Sequence, residues 1–225
     1  MSMHLMREID KLKRQVLSLS AVVEENVRRA VASLQQGDEA LARQAIGIDL
    51  EIDQTEIDVE EECLKILALH QPVAIDLRLI VACLKINNDL ERIGDLAVRI
   101  AKRVIDLLQG RRPQIPPELP LMADKAQAML AKSLDALVGL DADLAREVLP
   151  ADDEVDDMHR AVGARVEAQI LDSPESLHGL LHIFTISRCL ERIADHATNI
   201  AEDVVYMLEG EIVRHGGGPA APGQP

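Results

Sequence analysis

Leu90-Glu91-Arg92-Ile93-Gly94-Asp95 and, one hundred residues further on, Leu190-Glu191-Arg192-Ile193-Ala194-Asp195 decide how this chain is read. The match continues through Ala97/Ala197, Ile100/Ile200, Ala101/Ala201, Leu108/Leu208 and Gly110/Gly210. Agreement over that length marks an internal repeat. A second pairing lies upstream, where Ala42-Arg43, Asp49, Glu51 and Asp53 correspond to Ala145-Arg146, Asp152, Glu154 and Asp156 at an offset of 103. The three-residue difference belongs in the connection that precedes the third helix of each unit.

Working outward from the repeat, the apolar residues Leu5, Ile9, Leu12, Val16, Leu19, Val23, Val27, Val31 and Leu34 recur every three or four positions. That spacing predicts one long amphipathic helix. A second is expected from Asp38 to about Leu69, and a third from Pro72 or shortly after it, where a missing N–H costs nothing at a first helical position, to Gly110. Arg111 to Pro117 cannot continue a helix and reads as a linker. The order then repeats: a helix over about 118–140, a second over about 142–171 bent at Pro150, and a third opened by Ser173 as cap with Pro174 behind it, reaching Gly210. The expected organisation is a first three-helix repeat over 1–110, a linker over 111–117, a second repeat over 118–210 and a disordered Gly/Pro tail over 211–225. The fold class is therefore all-α, two pseudo-symmetric three-helix bundles made from six long helices.

Composition agrees. Of 225 residues 48% are hydrophobic, with one Phe, one Tyr and no Trp, so Leu, Ile, Val, Ala and Met must fill the core, as suits helix packing. Twenty-four Lys and Arg against 39 Asp and Glu give a net charge of −15, which repels phosphate backbones and argues against nucleic acid as a partner. Cys63, Cys83 and Cys189 form no CxxC pair and sit among apolar neighbours, as reduced core thiols do. No apolar run approaches the roughly 18 residues of a membrane span, and Met1-Ser2-Met3-His4 leads into charged residues rather than an apolar export core. A cytoplasmic location is expected, with the membrane reached only through partners.

The repeated residues are acidic. Asp49 and Asp53, Glu91 and Asp95, Asp152 and Asp156, and Glu191 and Asp195 are each four apart, so each pair shares one helix face. Like charges at that spacing disfavour a helix by roughly 0.2–0.5 kcal/mol per pair, and four such pairs call for counter-charge. If the middle and last helices of each half are neighbours, the pairs converge into two patches of four oxygen donors, suited to iron, manganese, magnesium, calcium or mixed-ligand zinc. The alternative is a solvated face partly neutralised by Arg92, Arg99 and Arg192. Residue chemistry alone leaves both open.

Other signals are weaker. Glu175-Ser176-Leu177-His178 matches the Glu-x-x-His spacing of di-iron bundles, and Asp156-Asp157-Met158-His159 is a shorter-acid version. Arg78 stands at the first-half equivalent of His178, so the second motif that such an enzyme needs is missing. His70, His182 and His196 read as surface or half-buried histidines, with His196 beside Asp195 the one most worth testing. There is no glycine-rich phosphate loop, nucleophile elbow or HExxH, and no catalytic residue is assigned. No grouping of Arg or Lys marks a phosphate pocket.

Gln71-Pro72-Val73-Ala74-Ile75-Asp76-Leu77-Arg78, together with the two Leu-Glu-Arg-Ile-x-Asp segments, resembles the PhoU family of phosphate-uptake regulators over about residues 4 to 215, closing at Arg214-His215. The resemblance implies two pseudo-symmetric three-helix bundles whose Glu/Asp-x-x-x-Asp motifs hold iron or zinc clusters in several members. Those motifs fall on Glu91/Asp95 and Glu191/Asp195. It further implies a cytoplasmic, non-enzymatic negative regulator of phosphate-starvation signalling, a homodimer that acts as an adaptor between the ATPase subunit of the phosphate ABC transporter and a sensor histidine kinase. Ala194 replaces Gly94 between the halves, and Asp53 falls where acidity is less uniform in the family. The competing function is a carboxylate-bridged metal enzyme or metal-storage bundle.

Overall fold

The computed structural model describes residues 3–110 and 113–211. Arg111 and Arg112 of the expected linker, nearly all of the expected tail, and Arg214-His215 lie outside them. Every described element is helical: α1 Met3–Gln36, α2 Glu39–Gly47, α3 Asp49–His70, α4 Ala74–Gln109, α5 Glu118–Gly139, α6 Ala142–Arg146, α7 Asp152–Asp172 and α8 Leu177–Glu209, with short 3₁₀ turns at Leu149–Ala151 and Pro174–Ser176.

The periodic apolar residues of α1 are all buried, as their spacing requires. Gly37, at φ 64°, ends the helix region, and the Asp38 carboxylate caps α2 by accepting from the N–H groups of Ala40 and Leu41 at 2.7 and 3.3 Å. Asp141, its counterpart 103 residues on, caps α6 through the Leu144 N–H at 3.0 Å. The repeat thus extends to its caps.

The middle helix of the first half, expected as one piece, is two. The chain kinks at Ile48, next to Gly47, with the Glu51 N–H donating to the Ile48 carbonyl at 2.9 Å, a tightened turn. In the second half Pro150 produces the expected break, widened to a 3₁₀ turn between α6 and α7. Both breaks place an aspartate, Asp49 or Asp152, at the first residue of the following helix. The positive end of the helix dipole favours a carboxylate there.

The third helix begins shortly after Pro72, within the expected range. Gln71 turns left-handed at φ 45°, Pro72 lies in the connection, and α4 opens at Ala74. In the second half Ser173 makes no side-chain cap bond, and Pro174 opens the 3₁₀ turn before α8.

α4 and α8 pack against each other at the centre, antiparallel, as cross-links at both ends of the seam show: Lys85 Nζ to Asp203 Oδ1 at 2.9 Å, His196 Nδ1 to Asp89 Oδ1 at 2.7 Å, and Arg103 Nη1 to His182 Nδ1 at 3.4 Å. α1 lies against α2, α3 and α4, and α5 against α6, α7 and α8, while α1 also touches α5. One contiguous apolar core runs through both halves. Lys11 on α1 reaches the buried Glu62 on α3 at 2.5 Å, which pins the middle helix of the first half to the first.

Candidate metal centres

Two helix pairs, α3 with α4 and α7 with α8, carry the eight acidic residues. Antiparallel pairing turns the four-residue spacing on each helix into rungs. In the second half Asp152 faces Asp195 and Asp156 faces Glu191, and one carboxylate oxygen from each of Asp156, Glu191 and Asp195 lies within 4.8 Å of the others. In the first half Asp49 is set beside Asp95, and Asp53 beside Glu91. That patch is looser: among the described residues no three donor atoms of the first half come as close.

Electrostatics report the crowding. Burial raises Asp152 to about 6, with Asp195 and Asp156 adding to it. Burial likewise raises Asp49, helped by Asp53 and Asp95, and Glu191, helped by Asp156. Glu91 rises by burial and by Asp95, Asp53 and Asp49, although Arg92 opposes it. Asp195 is raised by the protein packed about it and by Glu191 and Asp156. The Oδ1 of Asp152 is buried, and a hydrogen bond from Thr198 on α8 opposes the rise.

The arginines of a solvated face offset the patches only in part: Arg188 and Arg192 lower Glu191, and Arg192 lowers Asp195, yet both carboxyls stay raised. Arg92 approaches Glu91 at 3.4 Å, whereas Arg99 and Arg192 form no ion pair among the described residues. With Arg103 and Arg188 they surround the buried Cys189 thiol, which burial raises and these four cations lower. This grouping of arginines escaped the sequence reading because its members come from two helices.

A third rung was legible in the sequence only through His159, the end of Asp156-Asp157-Met158-His159. One turn beyond Asp53, Glu56 receives the Asn87 side-chain N–H at its Oε1 (3.3 Å) and at its own backbone carbonyl (3.0 Å). At the equivalent place in the second half His159 Nδ1 lies 3.0 Å from Ser187 Oγ. Self-comparison could not flag Glu56 and His159, since it finds only positions that match. Glu56 belongs to the patch, because burial, Glu60, Glu91 and Asp53 raise its carboxyl.

The remaining histidines lie elsewhere. His196 is hydrogen-bonded to Asp89 across the α4–α8 seam, His182 meets Arg103 and Asp106, and His70 meets His4 edge-on at 5.4 Å. Glu175 sits in a 3₁₀ turn that precedes α8, so Glu175 and His178 do not form an i, i+3 pair on one α-helix.

The chain carries two PhoU domains, matched by the family model over residues 16–104 and 119–204. It belongs to the PhoU family. A phosphate-specific transport system accessory protein PhoU homolog of Pseudomonas putida is 38% identical over 211 residues, covering 93% of this chain and 82% of that one. An Aquifex aeolicus homolog with the same description is 36% identical and is covered to 96%. The crystal structure of PhoU from Pseudomonas aeruginosa superposes with a TM-score of 0.88 at 38% identity, covering 91% of this chain and 99% of that one. The phosphate transport system regulatory protein PhoU from Streptococcus pneumoniae gives 0.86 at 30% identity, covering 94% and 100%. PhoU proteins are regulatory accessory proteins rather than enzymes, and no described helix of this chain is long and apolar enough to cross a membrane.

Proposed function

We propose that this PhoU protein is a cytoplasmic negative regulator of phosphate uptake and phosphate-starvation signalling, and that it binds metal through its two carboxylate patches. The relatives' description as accessory to a phosphate-specific transport system supports the regulatory reading. The convergence of Asp156, Glu191 and Asp195 within 4.8 Å supports the metal.

The donor set fits a hard or borderline cation. Asp49, Asp53, Glu91 and Asp95 would hold it in the first half, and Asp152, Asp156, Glu191 and Asp195 in the second, with iron or zinc favoured and manganese or magnesium also suited. A bound cation supplies the positive charge that the repelling carboxylates lack. The residues themselves do the rest: they tie α3 to α4 and α7 to α8, and so fix the face that a partner reads. The partners in this reading are the ATPase subunit of the phosphate ABC transporter and a sensor histidine kinase, with the protein acting as a homodimeric adaptor between them. Deleting the gene should raise phosphate uptake and starvation-gene expression in phosphate-replete cells. Unchanged uptake and expression at both high and low phosphate would remove the regulatory reading.

A metal-storage role predicts many ions per chain rather than a few fixed ones. Titration of the purified protein to saturation separates the two.

A further inference from the structure

We propose that Arg99, Arg103 and Arg192 form a site at the α4–α8 seam for a small tetrahedral oxyanion, inorganic phosphate. The choice of phosphate among such anions rests on the regulatory reading above. The site itself does not depend on the metal patches.

The seam is pseudo-symmetric, so its two ends can be compared position by position at the offset of 100. At one end two carboxylates are met by donors from the opposite helix. Asn199 Nδ2 donates to Asp89 Oδ1 at 3.3 Å, His196 Nδ1 lies 2.7 Å from the same oxygen, and Lys85 Nζ donates to Asp203 Oδ1 at 2.9 Å. At the other end both carboxylates are replaced, and cations stand in their neighbourhood. Cys189 takes the place of Asp89, Arg103 that of Asp203, Arg99 that of Asn199, and Leu96 that of His196. The acceptor has gone and the donor facing it has become a guanidinium.

Helix register brings these cations together. Arg103 Nη1 lies 3.4 Å from His182 Nδ1 across the seam, which fixes the alignment of α4 and α8 at this end. Arg99 is one turn before Arg103 on the same face of α4, and Arg192 one turn after Cys189 on the same face of α8. Just as Asn199 reaches position 89, Arg99 reaches towards position 189. The Cys189 thiol registers the result: burial raises it, while Arg99, Arg192, Arg103 and Arg188 lower it.

Positive charge is left over here. Arg103 is paired with Asp106 at 3.0 Å, and Arg192 leans on Glu191 and Asp195 of the second patch, but Arg99 and Arg192 form no ion pair among the described residues. Guanidinium groups stay charged at physiological pH, and their planar N–H forks match the spacing of phosphate oxygens. Cys189, 3% exposed, gives the site a small floor that is a weak acceptor and does not compete for the arginines. An anion between Arg99 and Arg192 relieves their mutual repulsion and ties α4 to α8, and with them one half of the protein to the other.

The test is equilibrium dialysis of the full-length protein against radiolabelled inorganic phosphate, after chelator has removed metal so that phosphate cannot bind through a cation. Wild type should bind phosphate saturably. Arg99→Gln and Arg192→Gln should each weaken binding by about tenfold or more, the worth of a charge-assisted hydrogen bond. Arg28→Gln, at an exposed arginine on α1, should leave it unchanged. Cys189→Asp, which returns to this end the carboxylate found at the other, should abolish binding. Circular dichroism shows that each protein is folded, and the two exposed arginines carry the test if the buried substitution does not fold. No binding by wild type, equal binding by the Arg99 and Arg192 variants, or an equal loss in Arg28→Gln overturns this inference. Each of these outcomes leaves the regulatory reading standing, since that reading falls on unchanged uptake and gene expression in the deletion strain.

Discussion

Gly94 sits in the heart of the first repeat, where a methyl group would press on Ile52. A Cβ there would lie 3.0 Å from Ile52 Cδ1 and 3.2 Å from Ile52 Cγ2. In the second half the equivalent pair is Ala194 and Val155, both fully buried. A methyl has moved from one helix to the other with total volume nearly kept, the kind of change that cores accept. Gly94→Ala should destabilise by about 1–2 kcal/mol, an overpacking cost partly offset by the better helix propensity of alanine. Combining it with Ile52→Val removes the closest contact, so chemical denaturation of the four proteins should give a coupling of at least about 0.5 kcal/mol. Additive effects would mean that the two side chains do not compete for this space.

At the scale of helices, the carboxylate rows make the metal-free protein sensitive to pH. Asp152, raised to about 6, keeps its proton in the folded chain at a pH where the unfolded chain has lost it. The folded state then binds more protons than the unfolded one between about 4 and 6, so stability falls as pH rises through that window. The metal-free protein should melt higher at pH 5 than at pH 7.5, by on the order of 2–4 °C for each kcal/mol involved. Asp152→Asn should reduce the slope and melt higher than wild type at pH 7.5. Equal slopes would show that Asp152 is not the group responsible. Saturating metal reverses the trend, since cation and proton compete for the same oxygens.

The helices themselves were legible, because apolar spacing along α1, α4 and α8 is set by what the core must bury. The break at Pro150 was legible too, as proline removes an N–H. The break at Ile48 was not, since a lone glycine such as Gly47 is tolerated inside a helix and only the packing decides whether the chain bends there. The four acidic pairs could be read from the repeat. Their convergence could not, because it depends on how α3 turns about its axis against α4, and α7 against α8. Glu56 was hidden for a different reason: its position differs in chemistry from His159 of the second half, so the repeat does not pick it out.

The whole molecule is organised about the α4–α8 seam. The two acidic patches flank it, each in the groove between a last helix and the middle helix of its own half, while Arg99, Arg103, Arg188 and Arg192 gather near Cys189 where the two last helices meet. These arginines set local positive charge beside the seam in a chain whose net charge is −15. The repeat places two sites on one continuous core, so that a cation in one groove and a cation in the other act on helices that touch. The most direct test of this account is the metal content of purified wild-type protein beside the Glu91→Ala, Glu191→Ala and doubly substituted proteins, each shown to be folded. The account predicts that each single substitution empties one half and that the double substitution removes nearly all bound metal. Equal metal in all four proteins would contradict it.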